Sequence, residues 1–258
     1  MEPRVIFEDE DLLVLDKPAG MIVNKADTTK DQITVQDWVE TYLGVPRVSQ
    51  GEEIGSPRGT RDTLTAPRDT FLARAGIVHR LDKETSGILL VAKNLESFTN
   101  LQAQFKERKV QKTYVALAHG KIEPEEGEIN VAVGRLPWNR KRFGVIADGR
   151  ESVTKYKVLG IKYYVSGKTK EPLSLVELNP KTGRTHQIRV HLQYIHHPIF
   201  SDPLYAGRKT SRNDRQSLPR VFLHASKISF FHPKTNESIS FESPIPSDLN
   251  NFLMSLQA

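Results

Sequence analysis

The chain has 258 residues, 38% hydrophobic and 26% charged, a composition suited to one large or two small globular domains. No run of about 18 apolar residues is long enough to cross a bilayer. Met1-Glu2-Pro3-Arg4 does not open a signal or transit peptide, and the absence of Cys excludes disulfides and thiolate metal sites. A cytoplasmic location with no membrane partner is therefore expected. Lys and Arg number 37 against 31 Asp and Glu, for a net charge of +6, which favours a polyanionic partner such as nucleic acid.

In chain order, Val5-Ile6-Phe7, an acidic turn and Leu12-Leu13-Val14-Leu15 read as a hairpin closed by Lys17-Pro18-Ala19-Gly20. Thr34, with Asp37 three residues on, marks the start of a helix whose apolar face is Val35, Trp38, Val39 and Tyr42; Gly44 ends it. Residues 46–70, rich in Pro, Gly, Ser, Thr and Arg, read as a loop, and a flexible insertion is expected over 46–75. Ile88–Val91 is a buried strand, followed by a helix with Phe98, Leu101 and Phe105 on one face.

Thr113–Ala118, Val153–Leu159 and Leu173–Leu178 alternate as strands. A helix from about His186 places Ile188, Leu192 and Ile195 together. Ile228–Phe231 and Ile239–Phe241 flank a turn over Lys234-Thr235-Asn236-Glu237, and a last helix opened by Ser247 buries Leu249, Phe252, Leu253 and Leu256. Strands joined by short turns, with irregularly placed helices, predict an α+β fold: a mixed, largely antiparallel sheet flanked by helices and crossed by a cleft, in a single domain over 1–258.

Two polar segments draw attention. His79-Arg80-Leu81-Asp82-Lys83-Glu84-Thr85-Ser86-Gly87 leads directly into an apolar strand, where a loop can hold side chains at the rim of a sheet. By spacing alone it reads as a charged turn, with Asp82 between Arg80 and Lys83. The second runs from Asn179-Pro180-Lys181-Thr182-Gly183-Arg184 into a helix with His186, Arg189 and Gln193 on one polar side, by periodicity a solvated face.

Taken together, HRLDxxTSG, then Gln104-Phe105 through Arg108, Val110, Lys112, Tyr114 and Ala116, then TGRTHQIRVH, resemble the RluA-type family of RNA pseudouridine synthases. Lys17–Gly20, Thr154–Leu159, Leu223-His224-Ala225 and His232-Pro233 extend the resemblance over essentially the whole chain.

The resemblance implies that Asp82 is the catalytic aspartate, that Tyr114 stacks on the target uracil, and that Arg189 pairs with Asp82. It also implies that Arg80 can fill the space left by a displaced base. Lys17-Pro18 and Leu223-His224-Ala225 support the cleft without catalytic duty. Removing Arg189 would then cost both activity and stability. Asn24 stands where many relatives carry His. The pattern begins at once, so a place outside the subgroup bearing an N-terminal S4 domain is expected.

Isomerisation of uridine to pseudouridine adds and removes nothing, so no cofactor or metal is expected. The base must be flipped out of its stack to be reached. Arg135-Leu136-Pro137-Trp138-Asn139-Arg140-Lys141-Arg142-Phe143 interleaves cations with aromatics, and Arg208, Lys209, Arg212, Arg215 and Arg220 form a second basic loop. Arg80, Arg184, His186, Arg140 and Arg142 are the expected contacts to a structured ribosomal or transfer RNA, bound by a monomer. Two rival readings are a non-catalytic RNA-binding protein on the same scaffold and a glycosidase. The second needs a further carboxylate, for which Glu84 has no matching role.

Overall fold

The computed structural model describes residues 2–26, 31–44, 67–166 and 169–257, without the side chains of Arg140 and Ser166. The chain divides into two compact units. The first comprises Met1–Lys83, Gly87–Lys109 and Phe230–Ile239; the second comprises Glu84–Ser86, Val110–Ser229 and Ser240–Ala258.

The first unit is built on β1 (Arg4–Glu8), β2 (Leu12–Lys17) and β3 (Ser86–Ala92), with β2 antiparallel to both neighbours. Leu12–Leu15 and Leu89–Ala92 have no exposed surface, which is why these strands read as continuous apolar runs without alternation. Helices α1 (Val35–Leu43), α2 (Pro67–Ala73) and α3 (Leu95–Lys106) complete the unit. The Thr34 side chain accepts from the Asp37 amide while Asp37 reaches back to the Thr34 amide, closing the expected capping box, and Gly44 takes the left-handed C-cap at φ 64°. In α3, Phe98 and Leu101 are fully buried.

Residues 67–73 are helical, which corrects the reading of 46–70 as loop throughout; residues 46–66 of the expected insertion lie outside the described residues. Pro67 occupies the first helical position, where its missing N–H costs nothing, and Phe71 packs edge-on against Phe98 at 5.5 Å. The three apolar side chains Phe71-Leu72-Ala73 are consecutive, and seven residues are too few to show a helical period.

In the second unit, β4 (Gln111–His119), β5 (Glu126–Asn130), β8 (Val153–Ser166), β9 (Thr169–Pro180) and β10 (Leu223–Phe231) form an antiparallel array in the order β10-β4-β9-β8-β5. The short hairpin β6 (Val133–Leu136) and β7 (Asn139–Val145) forms its own two-stranded sheet. Strand β8 continues past the expected Leu159 because a register shift between Val158 and Gly160 absorbs that residue. Helix α4 spans Gln187–Tyr194, α5 spans Arg208–Ser217 and α6 spans Ser247–Ser255, while β11 (Ser238–Glu242) pairs with β10. The core unites Ala116–Ala118, Val176, Leu178, Ile188, Leu192, Phe200, Phe222, Leu249 and Phe252. This is the α+β, mostly antiparallel architecture expected.

The basic segment 208–220 is a helix followed by a short connection, a second correction to the loop reading. Its sequence carries no apolar stripe to mark a buried helix face. It is fixed by polar contacts: Arg215 grips Glu84 through both terminal nitrogens at 2.7 and 3.1 Å, and Asp214 meets His119 at 2.9 Å. Arg220 holds Asp248 through two nitrogens. Arg215 and Arg220 thus serve the fold.

Candidate active site

In the first unit, Asp82 lies on the loop that enters β3, half-buried, beside buried Leu81 and exposed Arg80 and Lys83. The loop is held from below. Lys17 has no exposed surface, and its ammonium donates to the carbonyls of Pro18 (2.8 Å), Met21 (2.9 Å) and Lys83 (3.2 Å). The Gly20 amide donates to the same Lys83 carbonyl at 2.8 Å. A buried cation satisfied by main-chain oxygens therefore pins the residue next to Asp82. On the other side, His79 Nε2 accepts from the Leu90 amide at 2.9 Å. Glu84 belongs to the second unit, where Arg215 and the Val221 amide occupy its carboxylate.

In the second unit, Tyr114 sits mid-strand on β4, half-buried against the core, paired in register with Ala225 and Leu178. Lys112 is two residues earlier on the same strand face. Its Nζ is 3.5 Å from the Thr182 carbonyl, and burial lowers its pKa to about 8.

The turn over 180–187 is organised by Gln187, whose Oε1 accepts from the Thr182 hydroxyl and the Arg184 amide while Nε2 donates to Val153 and Thr154. Arg184 is half-buried, its Nε 3.3 Å from the Glu151 carbonyl. His186 is outside α4, in the left-handed region at φ 56°, and serves as its N-cap.

Arg189 is buried, 6% exposed, which corrects its place on the expected solvated face of α4; of the other two residues of that face, Gln193 is exposed and His186 half-buried. The Arg189 Nε and Nη2 grip the two oxygens of Asp202 at 2.7 and 2.9 Å. Asp202 is also the hub of an Asx turn, accepting from the Leu204 and Tyr205 amides. The Tyr205 ring lies under two guanidiniums, Arg189 at 5.1 Å and Arg142 at 5.3 Å. Its hydroxyl accepts from the Phe143 amide and is 2.9 Å from His186 Nδ1.

Arg142, His186 and Arg189 are thus brought together around one tyrosine. In the sequence, Asp202 and Tyr205 are marked only by the Asp202-Pro203 turn signal. Arg140 gives its backbone to β7, and its side chain lies outside the described residues. At the hairpin turn, Trp138 is 78% exposed, and Arg135 lies 5.0 Å over the Phe143 ring.

Asp9, Asp11 and His232 place ligand-capable atoms within 4.8 Å of one another in the first unit. Asp9 caps the turn before β2 and meets His232 Nε2 at 2.8 Å, and Asp11 accepts from Asn94 and Ser97. These bonds make the cluster a structural staple.

Residues 11–194 match the family described as RNA pseudouridylate synthase, a stretch that takes in Asp82, Tyr114 and Arg189. The chain is 37% identical to ribosomal large subunit pseudouridine synthase D of Neisseria meningitidis, over 98% of this chain and 61% of that protein. It is 34% identical to the uncharacterized RNA pseudouridine synthase YlyB of Bacillus subtilis, over 100% of this chain and 74% of that one. Human RNA pseudouridylate synthase domain containing 1 superposes with a TM-score of 0.69 at 26% identity, over 97% of this chain and 87% of its own. The chain belongs to the RNA pseudouridylate synthase family. It spans about three-fifths of the length of the synthase D relatives, 61% and 65% in two of them.

Proposed function

We propose that this protein isomerises specific uridines in structured RNA to pseudouridine, with RNA of the large ribosomal subunit as the first substrate to test and transfer RNA as the second. The observation that carries the reading is the family match over residues 11–194, which includes Asp82 on a loop fixed by the buried Lys17 ammonium. The ribosomal choice is supported by the names of the synthase D relatives.

In this reading the N1–C1′ bond breaks, the uracil turns, and a C5–C1′ bond forms; the C5 proton leaves and N1 gains one. The balance needs no oxidant, reductant or added group. Asp82 acts as the carboxylate, through attack on uracil C6, attack on ribose C1′, or removal of a 2′ proton. Tyr114 offers a ring for the everted base, and stacking of that kind offsets about 1–3 kcal/mol of the unstacking cost. Arg189 carries a positive charge held in place by Asp202. Arg80, Arg184, His186, Arg140 and Arg142 serve the RNA strand. A glycosidase would need a second carboxylate, and Glu84 is already committed to Arg215 and the Val221 amide.

The test is a map of pseudouridines in ribosomal and transfer RNA from a strain lacking this protein. Loss of one or a few sites, restored by a plasmid copy, is expected. An unchanged map would overturn the reading.

A further inference from the structure

Arg189 and Arg142 share the Tyr205 ring but differ in how their charge is met. Arg189 presents its Nε–Nη2 edge to Asp202. Arg142 forms no hydrogen bond or ion pair with another described residue, and its Nε is buried without a partner. Its one described contact is the face of Tyr205. A ring quadrupole attracts a cation but satisfies none of its N–H donors. The Nε–Nη2 edge is the geometry that accepts two oxygens of a carboxylate or phosphate at once, and on Arg189 it is filled by such an anion.

The placement is also held. The Tyr205 hydroxyl takes the amide of Phe143, the residue following Arg142, and the ring is braced edge-on by His186 at 5.7 Å. Around it, the β6–β7 hairpin exposes Arg135, Lys141 and Trp138, which suits a nucleic acid strand better than a small anion.

We propose that Arg142, seated on Tyr205, binds one backbone phosphate of the RNA, and that Tyr205 is the positioning residue that sets this cation beside Arg189. The inference rests on the RNA-directed reading above, and gives one contact in that reading a residue, an edge and a support.

The test is equilibrium binding of the full chain to a fluorescein-labelled RNA hairpin with uridines in its loop, across a salt series. Arg142→Gln is expected to weaken binding and reduce the slope of log affinity against log salt by about 0.7–0.9, the share of a single phosphate. Arg142→Lys should restore most of the slope. Tyr205→Leu, with Arg142 intact, should lose a similar share; if it fails to fold by circular dichroism, Tyr205→Phe replaces it, with a smaller loss expected from the missing tether. A wild-type slope in Arg142→Gln overturns the phosphate site, and a wild-type slope in the folded Tyr205 variant overturns the positioning role. Binding is read without turnover, so the site can stand or fall separately from pseudouridine formation.

Discussion

Arg189 and Asp202 are joined edge-on, Nε to Oδ2 at 2.7 Å and Nη2 to Oδ1 at 2.9 Å, with 7% of one side chain and none of the other exposed. Two ions out of water are stable only together, because each cancels the other's desolvation. Asp202→Ala is therefore expected to destabilise the protein by about 3–5 kcal/mol, since it removes the carboxylate that grips a buried guanidinium and frees two turn amides. Urea unfolding measures it, and a loss under about 1 kcal/mol would contradict the assignment. Arg189→Ala should fall in the same range, so its effect on activity must be read at temperatures where it remains folded.

At Lys112 burial acts on the titration of a single group. Burial lowers its pKa to about 8, below the ordinary lysine value of 10.5, so the unfolded chain binds the proton more tightly. Stability attributable to this group rises with pH from about 8 to 10.5, and at neutral pH the buried charge is a cost. Lys112→Met is expected to stabilise the protein at pH 7 by on the order of 1–3 kcal/mol, with the advantage shrinking above pH 8. Thermal melts at pH 7 and pH 10 check this; a variant less stable at pH 7 would refute the account.

His191 is fully buried on α4, its Nδ1 without a partner among the described residues and its Nε2 3.3 Å from the Val131 carbonyl. Burial holds its pKa down to about 4. The unfolded chain binds the extra proton between the two pKa values, so stability falls as pH drops from about 6.5 through about 4. His191→Leu should flatten this limb by on the order of 2 kcal/mol. Unfolding free energies at pH 7 and pH 4.5 give the comparison, and equal acid losses in both proteins would count against it.

Lys17 supports the Asp82 loop with three main-chain bonds from one buried ammonium. Lys17→Met leaves three carbonyls without that donor and should cost about 2–4 kcal/mol of stability. It should lower kcat more than RNA affinity, because the loop that presents Asp82 is loosened while the basic residues of the second unit are untouched. Single-turnover kinetics beside equilibrium binding separate the two, and an unaltered kcat would remove the supporting role.

Much of the fold could be read where one local signal dominated. The Thr34–Asp37 capping box, the unbroken apolar run of β3 and the Phe98–Leu101 face of α3 each follow from nearest-neighbour chemistry. What escaped was held by distant polar partners. Helix α5 has no apolar stripe and depends on Glu84 and His119; α2 is anchored by Phe71 on Phe98. The inward turn of Arg189 needs Asp202, thirteen residues away, a pairing that helical periodicity cannot express. Asp82, Tyr114 and Arg189 could be picked out by the family resemblance alone, since by spacing they read as part of a charged turn, of an alternating strand and of a solvated face.

The most direct test of the central claim uses RNA carrying tritium at uracil C5, whose release into water accompanies each isomerisation. Wild-type protein is expected to release tritium from ribosomal RNA lacking its own modification, and Asp82→Asn to release none above background while still binding that RNA. Equal release by the two proteins, or none by the wild type from any cellular RNA, would contradict the account.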